Sequence, residues 1–98
     1  MEGIVTVTVD VTSLDVETKA KLEDALNGLG LRTTLPETEG GTLHLPSGTY
    51  GNLIEVKEQM DQMKHYYRNL VGIMRKLKIK EKYFVNVSQK PTFVCGEL

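Results

Sequence analysis

Ile4-Val5-Thr6-Val7-Thr8-Val9-Asp10-Val11 alternates apolar and polar side chains almost without a break. Successive side chains of a strand point to opposite faces, so this pattern predicts a β-strand with its valines on a core and its threonines turned outward. Thr12, Ser13 and Asp15 follow as helix N-cap residues, with Thr12 and Asp15 at capping-box spacing. Leu22, Ala25, Leu26 and Leu29 then recur at i, i+3, i+4 and i+7, the signature of a one-sided amphipathic helix. Gly28 and Gly30 supply its stop, because glycine accepts the left-handed backbone of a helix end. The chain opens as β then α.

Working outward, Leu31, Thr33 and Leu35 predict a second strand ended by Pro36. A turn at Glu39-Gly40-Gly41 leads to a short third strand, Thr42-Leu43-His44-Leu45, ended by Pro46. Ser47 to Asn52 reads as loop. Leu53, Val56, Met60, Met63, Tyr67, Leu70, Met74 and Leu77 are then spaced alternately by three and four, a heptad seam. A helix over that span would be roughly 37 Å long, so one end is expected to overhang a sheet of ordinary strands unless Gly72 breaks it. Lys82 to Val87 alternates again as the last strand. Gln89-Lys90-Pro91 closes it, and Thr92 to Leu98 reads as a short edge strand or a loose end. The order βαββαβ predicts an α+β, ferredoxin-like two-layer sandwich over residues 1–98. Its antiparallel sheet would run 4-1-3-2, with both helices on one face and the other face open.

At 98 residues, with 40% hydrophobic and 26% charged side chains, the chain suits one domain with one core. The net charge of −1 conceals a division: residues 1–50 carry three basic against eight acidic side chains, and residues 51–98 carry nine against five. No basic-then-apolar leader and no apolar run near 20 residues is present, so neither export nor a membrane partner is expected. The single cysteine, Cys95, cannot form an internal disulfide or a Cys-rich zinc site, and a reducing cytoplasm fits. Phosphate-loop, GxSxG and HExxH motifs are absent, so no metal or cofactor site is read from motif.

Gly30-Leu31-Arg32-Thr33-Thr34-Leu35, continued by Leu45-Pro46-Ser47-Gly48-Thr49-Tyr50-Gly51, resembles the central hairpin and exit loop of GhoS-like proteins. Those are the small endoribonuclease antitoxins of type V toxin–antitoxin systems. Lys82-Tyr83-Phe84-Val85-Asn86-Val87 is similar to their closing strand. The resemblance implies a ferredoxin-like fold akin to the small CRISPR-associated nucleases, a dimer, and binding or cleavage of a toxin messenger RNA in a bacterial or phage setting. Asp10, at the end of the first strand, resembles the metal-binding aspartate of those nucleases, which implies a divalent cation if the chain cleaves RNA.

Three groups of residues carry candidate chemistry. By strand parity Asp10, Arg32 and His44 share the outward side with Thr6, Thr8, Thr34, Phe84, Asn86 and Ser88. There an acid, a base and a phosphate-binding cation would serve RNA cleavage. The plainer account is that outward positions are polar because water is there, and that Asp10 opposes a helix dipole. Arg68, Arg75, Lys76, Lys78, Lys80 and Lys82 form a basic run, preceded by Lys64 and Tyr66. The run is expected to hold RNA or an acidic partner, with Tyr66 stacking on a base, or else to be a solvated helix end. The seam of Met60, Met63, Tyr67, Leu70, Met74 and Leu77 is core where it meets the sheet. Its overhanging part calls for a homodimer or another protein partner. An interaction module docking through this helix, without catalysis, is the alternative to the RNA-directed antitoxin.

Overall fold

The computed structural model describes residues 2–36 and 41–89; the Gln89-Lys90-Pro91 turn beyond Gln89, the Thr92–Leu98 tail, Cys95 and most of the Glu39-Gly40-Gly41 turn lie outside the described residues. The fold is α+β, in the order β1 (Glu2–Val9), α1 (Val16–Gly28), β2 (Thr34–Pro36), β3 (Thr42–His44), β4 (Thr49–Glu55), α2 (Gln59–Lys76) and β5 (Tyr83–Gln89).

β1 lies between β4 and β5 and pairs antiparallel with both. Its alternation works as the valine pattern requires: Val5, Val7 and Val9 are buried while Thr8 is exposed. Against these valines pack Leu22 and Leu26 of α1, Leu70 and Met74 of α2, and Tyr50 and Val87 of the flanking strands.

Two expectations are corrected here. Of the stretch Ser47 to Asn52 only Ser47 and Gly48 are a turn, and Leu53 does not begin a helix, because Thr49–Glu55 is the strand beside β1. Tyr50 pairs with Val7 and is buried, and a β-compatible ring packed across a strand pair outweighs the helical spacing of Leu53, Val56 and Met60. α2 consequently has 18 residues and is roughly 27 Å long, close to the span of the strands, so the expected overhang disappears.

The third expected strand does not sit beside β1 either. Thr42–His44 pairs with Thr34–Pro36 in a separate two-stranded sheet. Before that hairpin, Arg32 and Gly51 exchange both backbone hydrogen bonds, at 2.9 and 2.8 Å. The hairpin then folds over the sheet face opposite the helices. A Cβ on Gly51 would lie 3.5 Å from Leu45 Cδ1 and 3.8 Å from Leu35 Cδ2, and Leu35 is buried outside the main core. That face was expected to be open; at its β4 side it is roofed.

Both helices end in the same way. Leu31 N–H donates to Leu26 O and Ile79 N–H donates to Met74 O, and each bond turns a buried apolar residue back onto its helix. The left-handed residue between cap and contact is Gly30 in α1, at φ 83°, and Lys78 in α2, at φ 58°. At the start of α1 the cap is Asp15, whose side chain accepts from Thr18 N–H at 2.7 Å. Thr12 bonds Asp10 instead of capping the helix.

Tyr50 gives this core a pH signature. Burial, and then the carboxylate of Glu23 to which its hydroxyl donates at 3.4 Å, push its phenol up to about 12. A raised phenol favours the folded state below the unfolded value near 10, and that contribution is lost as pH rises from about 10 through 12. In an alkaline absorbance titration, Tyr50→Phe should remove the late-ionising component and flatten the loss of stability in that window. An unchanged titration curve would contradict the assignment.

Candidate nucleic-acid interface

The three residues read as catalytic do not converge. Arg32 shares a cross-strand row with Gly51, Thr6 and Asn86, on the face away from the helices. Asp10 lies four residues beyond Thr6 along β1 and two strands across from Arg32. At about 4.8 Å per strand and 3.3 Å per residue, their backbones are roughly 16 Å apart. The Asp10 carboxylate is also engaged locally, accepting from Thr12 N–H at 3.1 Å and Thr12 Oγ1 at 2.7 Å. Those two bonds, with help from Lys82, hold its carboxyl below the usual range. His44 sits further out, exposed on β3 opposite Thr34. Among the described residues no group of three or more His, Cys, Asp or Glu side chains could hold a metal ion. Of the other outward residues, Thr8 and Phe84 are exposed, and Asn86 Nδ2 donates to Ser88 Oγ at 2.6 Å.

The seam of α2 is rotated from its expected position. A 3-4 repeat stays on one side only if the helix supercoils, and a lone helix on a sheet follows 3.6 residues per turn. The inward stripe is therefore Met63, Tyr66, Leu70, Ile73, Met74 and Leu77. Met60 and Tyr67, expected in the seam, are 58% and 45% exposed. Tyr66 and Tyr67 have exchanged roles. Tyr66, expected to stack on a base, packs against the core, and burial raises its phenol. Tyr67, expected in the core, faces solvent.

This rotation creates a surface. β5 lies beside α2, and strand parity puts Tyr83, Val85 and Val87 on the helix side. Met63, Lys64 and Tyr67 of α2 and Tyr83 and Val85 of β5 line an open, largely apolar groove of about 230 Å³. The Tyr67 and Tyr83 rings are 6.0 Å apart between centroids and inclined by 36°. A hydrogen bond shared with Tyr67 is the main cause of a raised Tyr83 phenol, and the positive charge of Arg75 acts in the opposite direction.

On the helix, at about 100° per residue, Lys64, Arg68 and Arg75 fall within about 40° of one another, next to Tyr67. All three are exposed. The basic run thus divides. Lys64 lines the groove, and Arg68 and Arg75 continue from it around the solvent side of α2, whereas Lys76 lies further round. Lys78, Lys80 and Lys82 belong to the turn after α2, where Lys82 O accepts from Asp10 N–H and Glu81 accepts from Ser13 Oγ.

Tyr83 and Val85 were not among the expected site residues. The available signal was strand parity, since Tyr83 shares a face with Val85 and Val87, but which helix residue it meets depends on the helix rotation. No helix among the described residues is long and apolar enough to cross a membrane. Comparison with known protein families, characterised proteins and solved structures finds no match for this chain.

Proposed function

We propose that this protein binds RNA through the α2–β5 surface, as a small antitoxin-like protein on a ferredoxin-like plan. The observation that carries the reading is the exposed Tyr67–Tyr83 ring pair with Lys64 lining the same groove, and with Arg68 and Arg75 exposed on the solvent side of the same helix. Cations beside exposed aromatics are what RNA recognition uses, because the charges attract the backbone and the ring faces take bases. Residues 59–89 also carry seven basic against two acidic side chains, so the local potential favours a polyanion despite the net charge of −1. The ferredoxin-like plan is supported by β1 lying between β4 and β5, with Arg32 bonded to the far side of β4. The β2–β3 hairpin is then an excursion from a fourth strand position. Binding is favoured over cleavage because Asp10, Arg32 and His44 lie on separate parts of the fold.

A second reading rests on the exposed Met60, two helical turns before Tyr67, and on the apolar groove wall, which would suit contact with a second copy of the chain. Fluorescence anisotropy with a labelled RNA dodecamer at low salt tests the first reading. The double variant Arg68→Glu, Arg75→Glu should weaken binding at least tenfold while keeping the native circular dichroism. No binding by the unaltered protein, or full binding by the double variant, would overturn it. A monomeric mass in sedimentation, unchanged by Met60→Glu, would remove the dimer.

A further inference from the structure

We infer that the groove between α2 and β5 receives one unpaired base, with Tyr83 as the stacking platform, so that the ligand is single-stranded nucleic acid and not a duplex. The inference rests on the RNA-binding reading above and specifies what that surface would hold. At about 230 Å³ the groove is smaller than the roughly 300–1,000 Å³ of sites for drug-sized ligands, and it suits a single flat ring system rather than a helix or a folded segment. Its walls match such a group: Met63 and Val85 are apolar, Met63 is adaptable, and Tyr67 and Tyr83 line it with two exposed aromatic rings.

At the mouth stands Lys64, and Arg68 and Arg75 continue its stripe along α2. From residue 64 to 75 the helix rises roughly 16 Å, enough to follow several phosphates of an extended strand. A strand whose base enters the groove beside Lys64 would therefore meet Arg68 and Arg75 by passing over the solvent side of α2. That juxtaposition is open to a single strand with its bases turned out. In a duplex the base must first leave its stack, at a cost of a few kcal/mol. Apart from the two phenols, the lining offers a base edge only the ammonium of Lys64, so recognition should be tolerant of sequence, as base–aromatic stacking is.

The test uses the full chain and labelled dodecamers of adenylate as RNA, as DNA, and as the DNA strand annealed to its complement. The two single strands should bind within a few-fold of each other and at least tenfold tighter than the duplex. Tyr83→Ala should weaken single-strand binding roughly five- to 150-fold, the range expected of one stacked base, with the salt dependence unchanged. Tyr83→Phe, which keeps the ring, should retain most of the affinity. Arg75→Gln should lower the slope of log K against log salt by about 0.7, the loss of one phosphate contact. Because Tyr83→Ala can disturb β5, a second measurement uses the unaltered protein: adenosine monophosphate should shift the Tyr67 and Tyr83 ring resonances. Binding of RNA with wild-type affinity by Tyr83→Ala, or equal affinity for duplex, would overturn the groove assignment and leave the RNA reading standing. Absence of binding to every oligonucleotide would remove both.

Discussion

Leu70→Ala should destabilise the protein by about 3 kcal/mol, whereas Met60→Ala on the same helix should change stability by less than about 0.5 kcal/mol. Leu70 is fully buried, in one cluster with Leu22 and Leu26 of α1 and Val5, Val7 and Val87 of the sheet. Removing its isobutyl group loses the transfer energy of the deleted atoms and leaves a cavity between layers that cannot close without moving a helix. For a chain of this length, a loss of that size lowers the melting temperature by roughly 12–24 °C. Met60 sits in the same heptad seam but is 58% exposed, so its truncation removes little packing. Thermal unfolding of the two variants decides between the two helix rotations. Comparable losses at Met60 and Leu70 would restore the heptad seam as the buried face of α2; a loss confined to Leu70 supports the rotated stripe that leaves Tyr67 in solvent.

That rotation also marks how far the fold could be read from the chain. β1, α1, the third strand and β5 follow from alternation, from the Leu22–Leu29 spacing and from glycine stops, whereas the strand expected over Leu31–Leu35 is confined to Thr34–Pro36 because Leu31 folds back onto α1 and Arg32 bridges to Gly51. β4 escaped because Leu53, Val56 and Met60 satisfy a helical period as well as they fit the end of a strand and the turn after it. Only the pairing of Tyr50 with Val7, a contact between distant parts of the chain, resolves the ambiguity. The same distinction governs the candidate site. Its cations are legible as a run of Lys and Arg, because charge density needs no geometry. The Tyr67–Tyr83 pair is not legible, since it depends on the orientation of α2 and on which strand lies under it. Asp10, Arg32 and His44 show the converse. Parity correctly turns Arg32 outward, but an outward direction does not bring residues on different strands within reach of one substrate.

The second large effect is expected at Gly3, where alanine should cost about 3 kcal/mol or more. Gly3 pairs with Ile54 on one side and Gln89 on the other, in the central strand. A Cβ built there would overlap both the Ser88 carbonyl oxygen and Val56 Cγ2. Val56 is buried and the Ser88 oxygen belongs to the backbone of β5, so neither can swing away as a long side chain would. Relief requires β5 to draw back from β1 at the end where Gln59 Nε2 donates to Val87 O and so ties α2 to the sheet. The strain should therefore spread from a strand end to the seat of the helix that carries Lys64, Tyr67, Arg68 and Arg75. Gly72 provides the control. A Cβ there meets nothing within 4 Å, so Gly72→Ala in mid-helix should stabilise by about 0.5–1 kcal/mol. Denaturant unfolding should thus give opposite signs for two substitutions of identical chemistry. If Gly3→Ala unfolds at the wild-type midpoint, β1 and β5 do not approach as closely as the register requires, and α2 loses its anchorage on the sheet.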